Sequence, residues 1–235
     1  MAVDFSANFQ TIGLIGGTGD LGSALAVHLA RKYGKVLVGS RNLEKAKSAV
    51  QGVVEEKGGA DYLRERLVPS PNEAVVQKSD IVILTVPYES ALQTVRQLAG
   101  HFRSDGGGQL LINAAAAVKK SDSGEFFAPI GEKSLTNQIR EALPGTVEVA
   151  AAFQTIPANV LYKEEVQVTA DVLVACEGKE VFREVSELIS AIPGLRPLHL
   201  GSLELSRDAE SLTSTLLNIA IKNRLKSPTI KVVSF

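Results

Sequence analysis

Short apolar runs and amphipathic helical patterns alternate along the first half of the chain. The strongest run, Ile81–Val86, is typical of a strand in a parallel sheet that is covered on both faces. The predicted strands are Thr11–Ile15, Lys35–Gly39, Arg66–Val68, Ile81–Val86 and Gln109–Ile112. The predicted helices run from Leu21 to near Gly34, from Leu43 to Lys57, from Asn72 to Lys78 and from Glu89 to Leu98. This βαβ rhythm predicts an α/β fold with a doubly wound, mainly parallel sheet.

The rhythm weakens in the second half, beyond about Gln154. Predicted strands there are Val147–Ala152, Asp171–Cys176 and a short one at Leu198–Leu200, and predicted helices are Leu135–Leu143, Val181–Ile192 and a long final one from Leu203 to about Arg224. Residues 101–108 read as a loop, and residues 114–134 as an irregular segment and candidate active-site flap. We therefore expect a first domain over residues 1–153 and a smaller C-terminal lobe over residues 154–235. The boundary is soft, and a single domain fits the pattern as well.

A glycine-rich turn follows the first predicted strand. Gly17, Gly19 and Gly22 have the spacing of a phosphate-binding turn between the first strand and first helix of a Rossmann-type sheet. Such glycines permit a tight turn, the approach of a pyrophosphate to the main chain, and close packing of the helix. The helix N-terminus offers free N–H groups and a partial positive charge to an anion. The turn predicts dinucleotide binding, although glycine-rich turns also serve packing alone.

The end of the second strand indicates which dinucleotide binds. Enzymes that prefer NAD usually carry Asp or Glu there, whereas this chain has Ser40 and Arg41. A hydroxyl and a guanidinium suit a 2′-phosphate, and Lys45 follows Arg41 by about one helical turn. Thr18 can add a hydroxyl from the glycine turn. The pattern favours NADP, while the alternative is that Arg41 and Lys45 belong to a solvated helix face.

Composition and charge exclude several classes of protein. The 235 residues carry a net charge of -1, which gives no basic surface for nucleic acid. The single cysteine, Cys176, excludes an internal disulfide and a multi-cysteine metal cluster. The apolar runs are too short to cross a bilayer, and the first residues, with Asp4, do not resemble a secretory signal. We expect a cytoplasmic protein without a metal site, a nucleic-acid partner or a membrane partner.

The chain contains no recognisable nucleophile motif or acid–base pair. Such an absence fits hydride transfer, because a nicotinamide carries that chemistry and the protein only has to bind, orient and exclude water. Ligands of these sheets lie beyond the carboxyl ends of the strands, which places Val86, Ser90 and residues 114–117 beside the nicotinamide. The alternative is that the four alanines at 114–117 form a tightly packed strand exit.

The sequence resembles the NADPH-dependent reductases of the deazaflavin coenzyme F420, the coenzyme F420:NADP oxidoreductases. The resemblance runs over nearly the whole chain from Thr11 and is weakest between His101 and Thr146. The motifs that carry it are Gly16-Gly-Thr-Gly-Asp-Leu-Gly22, Val38-Gly-Ser-Arg41, Leu84-Thr-Val-Pro-Tyr-Glu-Ser-Ala91, Gln154-Thr-Ile-Pro-Ala158, Gly194-Leu-Arg-Pro-Leu198, Ser206-Arg-Asp-Ala-Glu-Ser-Leu-Thr213 and Leu216-Leu-Asn-Ile219. The early motifs fit many dehydrogenases, and the late ones select this family.

The resemblance implies a homodimer that moves a hydride reversibly between NADPH and the deazaflavin ring, with coenzyme F420 as co-substrate. The residues it assigns to NADP are Gly17, Thr18, Gly19, Asp20 and Leu21 at the pyrophosphate, Ser40, Arg41 and Lys45 at the 2′-phosphate, and Val86, Ser90, Ala116 and Ala158 beside the nicotinamide. The residues it assigns to the deazaflavin side are Gln154, Ile156, Arg207, Ser211 and Thr213. No residue is assigned an acid–base role, and Gln154 and Ile156 lie nearest to the reacting rings.

Two features qualify the acceptor side. The family pattern commonly has His where this chain has Gln154, and glutamine donates a hydrogen bond but does not titrate near neutral pH. Arg207 and Ser211 share one helix face, with Thr213 to its side, although capping and solvent contact would explain the same residues. Two alternatives stay open. One is an NADPH-dependent reductase of a flavin, ferric chelate, imine or carbonyl compound, and the other is a non-catalytic NADP(H)-binding protein.

Overall fold

The computed structural model describes residues 11–104, 108–163 and 169–235. The first ten residues, and the middle of the loop expected at residues 101–108, lie outside the described residues. Eight strands form one sheet in the order β10-β9-β8-β5-β4-β1-β2-β3. They are β1 (Thr11–Ile15), β2 (Lys35–Ser40), β3 (Leu67–Pro71), β4 (Ile81–Leu84), β5 (Gln109–Asn113), β8 (Val147–Ala151), β9 (Ala170–Cys176) and β10 (Leu195–Gly201), and a separate hairpin joins β6 (Lys119–Lys120) to β7 (Phe126–Phe127).

All neighbouring strands of this sheet are parallel except β8 and β9, which are antiparallel. The chain passes from β1 outward to β2 and β3 and then returns to β4 on the other side of β1. Ligands of doubly wound sheets bind at such a reversal, outside the carboxyl ends of the strands. The predicted fold class is thus confirmed, and the topology places the ligand crevice above β1 and β4.

The helices cover both faces of the sheet. They are α1 (Asp20–Lys32), α2 (Leu43–Glu56), α3 (Asp61–Arg66), α4 (Asn72–Lys78), α5 (Tyr88–Leu98), α6 (Leu135–Ala142), α7 (Ala158–Leu161), α8 (Lys179–Ser190) and α9 (Ser206–Asn223). Side chains of α1 and α8 fill one core, and side chains of α4, α5 and α6 fill the other. The strand side chains between them are almost fully buried, which explains why β4 reads as an unbroken apolar run.

Most element boundaries lie within about two residues of those predicted from the sequence. The differences concern mainly short strands and short helices. The segment 114–134 is not wholly irregular, because its centre is the turn of the β6–β7 hairpin. The strand expected at Leu198–Leu200 is the seven-residue β10. The strand expected at Arg66–Val68 begins one residue later and continues to Pro71, and α3 and α7 were not predicted.

The C-terminal residues extend the same sheet. After β8 the chain forms β9 and β10 at its edge, and α9 then packs against β9 and the hairpin strand β7. The tail after α9 returns to β9, where the Asp171 N–H donates to the Ile230 carbonyl at 2.9 Å. Arg196 donates to both carboxylate oxygens of Asp171 at 2.7 Å, and this pairing lowers the pKa of Asp171. The tail is thereby fixed against the sheet, and the division at residue 154 stays a prediction.

Candidate active site

The turn between β1 and α1 is built on glycines for two different reasons. Gly16 has φ +80°, and a Cβ there would lie 2.7 Å from Val86 Cγ1. Gly22 is the first-turn position where α1 rests on the turn, since a Cβ there would lie 2.6 Å from Gly17 Cα. The N-cap of α1 is Gly19, which has no side chain to accept a hydrogen bond, and the N–H groups of the first turn have no partner within the helix. The arrangement presents main-chain donors and a helix dipole to an anion.

Beyond β2, two cations stand at the start of the next helix. The buried Ser40 hydroxyl accepts from the Asn42 N–H at 3.2 Å, and Asn42 Oδ1 caps α2 by accepting from the N–H groups of Glu44 and Lys45. Arg41 and Lys45 are exposed, and neither forms an ion pair with any described residue. A hydroxyl, a guanidinium and an ammonium therefore line the same cleft at a capped helix N-terminus, and no described carboxylate forms an ion pair with either cation.

The glycine turn and this corner border one cleft of about 380 Å³. Seven of the residues expected at NADP line it, namely Thr18, Gly19, Ser40, Arg41, Lys45, Val86 and Ser90. Six further lining residues were missed, namely Gly16, Asn42, Asn72, Thr85, Pro87 and Thr94. Asn42 carried a signal, because Asn directly before a helical pattern is a typical N-cap. The lining of the cleft runs from the glycine turn to the residues that follow β2.

Five residues expected at NADP are not among the lining residues of this cleft. Their positions differ in kind. Gly17 is buried beneath the turn and donates its N–H to the Gly39 carbonyl at 3.0 Å. Asp20 and Leu21 begin α1, with Asp20 exposed and Leu21 packed on the core. Ala116 follows β5 and Ala158 begins α7, and both are half-buried at the same edge of the sheet.

A second cavity of about 320 Å³ lies beyond the carboxyl end of β8. Its lining residues are Gln154, Thr155, Ile156, Pro157, Asn159, Thr213, Leu216, Leu217, Ser227 and Pro228. Three of the five residues expected on the deazaflavin side, Gln154, Ile156 and Thr213, are therefore brought together. Arg207 is exposed on α9, and the Ser211 hydroxyl donates to the Asp208 carbonyl at 3.1 Å. The structure does not place either of them in the wall of this cavity, the acceptor pocket.

Two hydrogen bonds hold the buried Gln154 in the wall of the acceptor pocket. Its Nε2 donates to the Asn113 carbonyl at 2.8 Å, and its own carbonyl accepts from the Thr213 hydroxyl at 2.7 Å. The preceding residue, Phe153, is buried and has φ 74°, which is a rare conformation for a bulky side chain. Such strain persists only where surrounding structure enforces it, and here it turns the chain from β8 into the pocket wall.

A buried polar network joins the pocket to α9. The Glu210 carboxylate is fully buried and accepts from the N–H groups of Leu135 and Thr136 at 2.9 and 2.8 Å and from the Thr136 hydroxyl. The Asn113 side chain donates to the same hydroxyl at 2.9 Å. Burial raises the pKa of Glu210 against the lowering effect of these hydrogen bonds. Glu210 thus ties α9 to the start of α6, behind the residues that contact Gln154.

Tyr88 begins α5, directly after the cleft-lining Pro87. Its hydroxyl donates to the Pro129 carbonyl at 3.3 Å. Burial, followed by the nearby carboxylates of Glu210 and Glu89, raises the pKa of Tyr88. The phenol is therefore neutral at physiological pH and acts as a hydrogen-bond donor.

In the described residues no group of three or more His, Cys, Asp or Glu side chains is placed to hold a metal ion. None of the described helices combines the length and apolar character that a membrane crossing needs.

Comparison with known proteins identifies the family. Residues 11–117 match a family described as NADP oxidoreductase, coenzyme F420-dependent. The F420-dependent NADP reductase of Methanothermobacter thermautotrophicus is 32% identical over 227 residues, covering 95% of this chain and 94% of the relative. The reductase of the same name from Methanocaldococcus jannaschii is 31% identical over 228 residues, covering 95% and 98%.

Solved structures agree on the fold. A protein from Arthrobacter sp. FB24, provisionally described as an F420-dependent NADP reductase, superposes with a TM-score of 0.77 at 18% identity over 97% of this chain and 100% of its own. A pyrroline-5-carboxylate reductase from Coxiella burnetii has a TM-score of 0.58 at 13% identity, over 93% of this chain and 73% of its own. The structural matches, at low identity, show only the architecture. The sequence matches, at about 32% identity over 95% of the chain, identify the family. The chain belongs to the family of F420-dependent NADP reductases.

Proposed function

We infer that the protein transfers a hydride reversibly between NADPH and coenzyme F420. The observation that carries the proposal is the pair of cavities at one edge of the sheet. The cleft lies above β1, β2 and β4, and the acceptor pocket lies above β8. Only β5 separates β4 from β8, so two strand spacings, about 10 Å, separate the two sites. That distance suits one dinucleotide reaching from the cleft toward a second ring in the pocket.

We propose that the cleft holds NADP(H) in an orientation set by its two ends. The first turn of α1, with Thr18, Gly19, Asp20 and Leu21, binds the pyrophosphate. Ser40, Arg41 and Lys45 bind the 2′-phosphate, which supplies the anion that their uncompensated charge lacks. Val86, Ser90, Ala116 and Ala158 then border the nicotinamide side. The support is the lining of the cleft together with the free N–H groups and cations at its two ends.

On the acceptor side, Gln154, Ile156 and Thr213 form the wall against which the deazaflavin ring lies. Arg207 and Ser211 are proposed to contact the same ligand from the exposed side of α9. The nicotinamide supplies the hydride when bound, and the protein orients both rings and excludes water. The hydrogen bonds that lock Gln154 to Asn113 and Thr213 support a fixed wall, which hydride transfer requires because the reacting carbons must approach closely.

An absorbance assay tests this function. The protein is mixed with saturating NADPH and oxidised coenzyme F420, and the visible absorbance of the deazaflavin is followed. Rapid bleaching is expected, and its absence contradicts the proposal. Parallel reactions with a flavin and with a ferric chelate test the alternative acceptors. NADPH binding without turnover of any acceptor would instead favour a non-catalytic binding protein.

The acceptor pocket predicts a flat pH profile for acceptor binding. None of its lining residues has a side chain that titrates between pH 6 and 8. We expect Gln154→His to make the KM for coenzyme F420 depend on pH in that range, because a histidine charges with a pKa near 6.5. The KM for NADPH serves as the internal control and is expected to stay within about twofold, since Gln154 lies outside the cleft. A flat profile in the variant would contradict the placement of Gln154.

We also propose that the protein acts as a homodimer in the cytoplasm. Ile219 and Ile221 on α9, and Leu225 just after it, are 46%, 54% and 56% exposed, and large apolar side chains left in solvent suit an interface. Light scattering is expected to give twice the chain mass of 25.0 kDa. Ile221→Lys is expected to shift the protein toward the monomer mass of 25.0 kDa. A monomer at all concentrations would overturn the proposed assembly.

The buried Cys176, the chain's one cysteine, suits a reducing compartment such as the cytoplasm, which cell fractionation tests.

A further inference from the structure

Asn72 is a buried polar residue whose side chain has no described partner, although it lines the NADP cleft. It is 5% exposed, follows directly after β3 and begins α4. Its Oδ1 is fully buried and accepts no hydrogen bond from any residue that the structure describes. The side chain does not cap α4, so local backbone chemistry does not account for it. A buried amide of this kind calls for an explanation outside the secondary structure.

The orientation of the amide is set by Gly39. A Cβ on Gly39 would lie 2.8 Å from Asn72 Oδ1, so this glycine leaves the space that the oxygen occupies. The nitrogen, Nδ2, makes no hydrogen bond with the described residues and is not among their buried atoms that lack a partner. The exposed part of this nearly buried side chain is therefore its donor group. Because Asn72 lines the cleft, that donor opens into it.

The sheet places this donor beside the cationic corner. β2 and β3 pair in parallel with Ser40 opposite Pro71, so the next residues, Arg41 and Asn72, leave the sheet side by side. Neighbouring strands are about 4.8 Å apart. The backbone of Asn72 leaves β3, while its side chain reaches back over β2, where Oδ1 lies over Gly39. Ser40 and Arg41 follow Gly39 directly, so the amide borders the corner formed by Ser40, Arg41 and Lys45.

We propose that Asn72 is a specificity-determining residue that donates Nδ2–H to the 2′-phosphate of NADP(H). The proposal rests on the proposed function. A phosphate dianion accepts hydrogen bonds, and the buried amide supplies an uncharged donor on the β3 side of the site, beside the exposed side chains of Arg41 and Lys45. A buried oxygen without a hydrogen bond lowers the stability of the fold, and an apolar side chain of similar size would avoid that cost. Stability alone therefore does not explain why an amide stands at this position.

The test separates the 2′-phosphate from the rest of the nucleotide. Calorimetry gives the affinities of NADPH and NADH, and those of adenosine 2′,5′-bisphosphate and AMP, for the unmodified protein and for Asn72→Ala and Asn72→Asp. We expect Asn72→Ala to weaken both 2′-phosphorylated ligands about 10-fold, the effect of one lost hydrogen bond to a charged group. Asn72→Asp is expected to weaken them about 100-fold, because a carboxylate also repels the phosphate. NADH and AMP are expected to change less than about threefold.

Asn137→Asp is the matched control, since it adds the same charge on α6, outside the lining of both cavities. Thermal unfolding checks that each variant is folded. Equal losses for phosphorylated and unphosphorylated ligands would assign Asn72 to the ribose or adenine and overturn the proposal, as would unchanged affinities for all four. If the unmodified protein itself does not distinguish NADPH from NADH, the NADP preference fails. If it does so and the Asn72 variants keep the same ratio, only the role of Asn72 fails.

Discussion

Arg41→Ala is expected to weaken NADPH binding about 100-fold while NADH binding changes less than about threefold. Arg41 stands exposed at the end of β2 without an ion-pair partner among the described residues, beside the Ser40 hydroxyl. A guanidinium binds phosphate through paired, charge-assisted hydrogen bonds. Alanine removes these bonds and leaves the negative charge of the 2′-phosphate without this partner. NADH lacks the 2′-phosphate, so it has little to lose from the substitution.

The control is Lys47→Ala on the same helix. Lys47 is exposed and pairs with Glu44 at 2.8 Å, and it does not line the cleft. Its removal changes the net charge by the same amount, so it reports the long-range field alone, which we expect to alter NADPH affinity less than about twofold. Nucleotide fluorescence or calorimetry measures both affinities at fixed ionic strength. Equal losses of NADPH and NADH in Arg41→Ala, or an equal loss in Lys47→Ala, would refute a 2′-phosphate role.

The glycine turn illustrates how much of the site is local enough to be predicted from the sequence. The spacing of Gly17, Gly19 and Gly22 predicted the turn and the helix that follows. It did not reveal that Gly16 carries the positive φ, with Val86 as the neighbour that excludes a side chain, because Val86 belongs to the distant strand exit of β4. The pattern reports which residue types are present, whereas their individual roles depend on the strand packed next to them.

Several residues that reach the site from remote segments were missed from the sequence, although Thr213 on the final helix was expected there. Asn72 enters the cleft because β3 lies next to β2, a pairing that no local pattern specifies. Asn159 and Ser227 meet at the rim of the acceptor pocket, 68 residues apart, through hydrogen bonds between their side chains at 3.1 and 3.2 Å. The final helix was predicted, but the return of the tail after it was not. The NADP end of the site was thus accessible to motif reasoning, and the acceptor end depended on long-range packing.

Glu184→Gln is expected to stabilise the protein at neutral pH. Glu184 is 2% exposed on α8, which packs on β8, β9 and β10, and neither carboxylate oxygen has a described hydrogen-bond partner. Burial raises the pKa of Glu184 to about 8 from 4.5, opposed by Arg183 and reinforced by Glu187, Glu180 and Glu148. Arg183 itself pairs with Glu180 at 2.7 Å. The folded protein therefore keeps Glu184 protonated at a pH where the unfolded chain has released that proton.

The sign of the pH dependence follows from this difference. Below pH 4.5 both states are protonated and Glu184 has no effect on the pH slope of stability. Between pH 4.5 and about 8 the unfolded chain binds fewer protons than the folded one, so the free energy of unfolding falls as pH rises. At pH 7 the accumulated cost is about 3 kcal/mol, from roughly 1.4 kcal/mol per pH unit. Glutamine has nearly the same shape and no proton to release, so it removes this cost.

Urea unfolding across this pH range measures the effect. We expect the free energies of unfolding of Glu184→Gln and of the unmodified protein to agree within about 1 kcal/mol near pH 4.5 and to diverge in favour of the variant by about 3 kcal/mol at pH 7. Glu187→Gln, exposed on the same helix, is the control and is expected to change stability by less than about 1 kcal/mol. Parallel curves for the Glu184 variant and the parent would mean that the carboxylate is charged in the folded state. The rate of hydride transfer should be unaffected, because Glu184 lies outside the cleft and the acceptor pocket. The Glu184 substitution is therefore expected to change stability without changing hydride transfer.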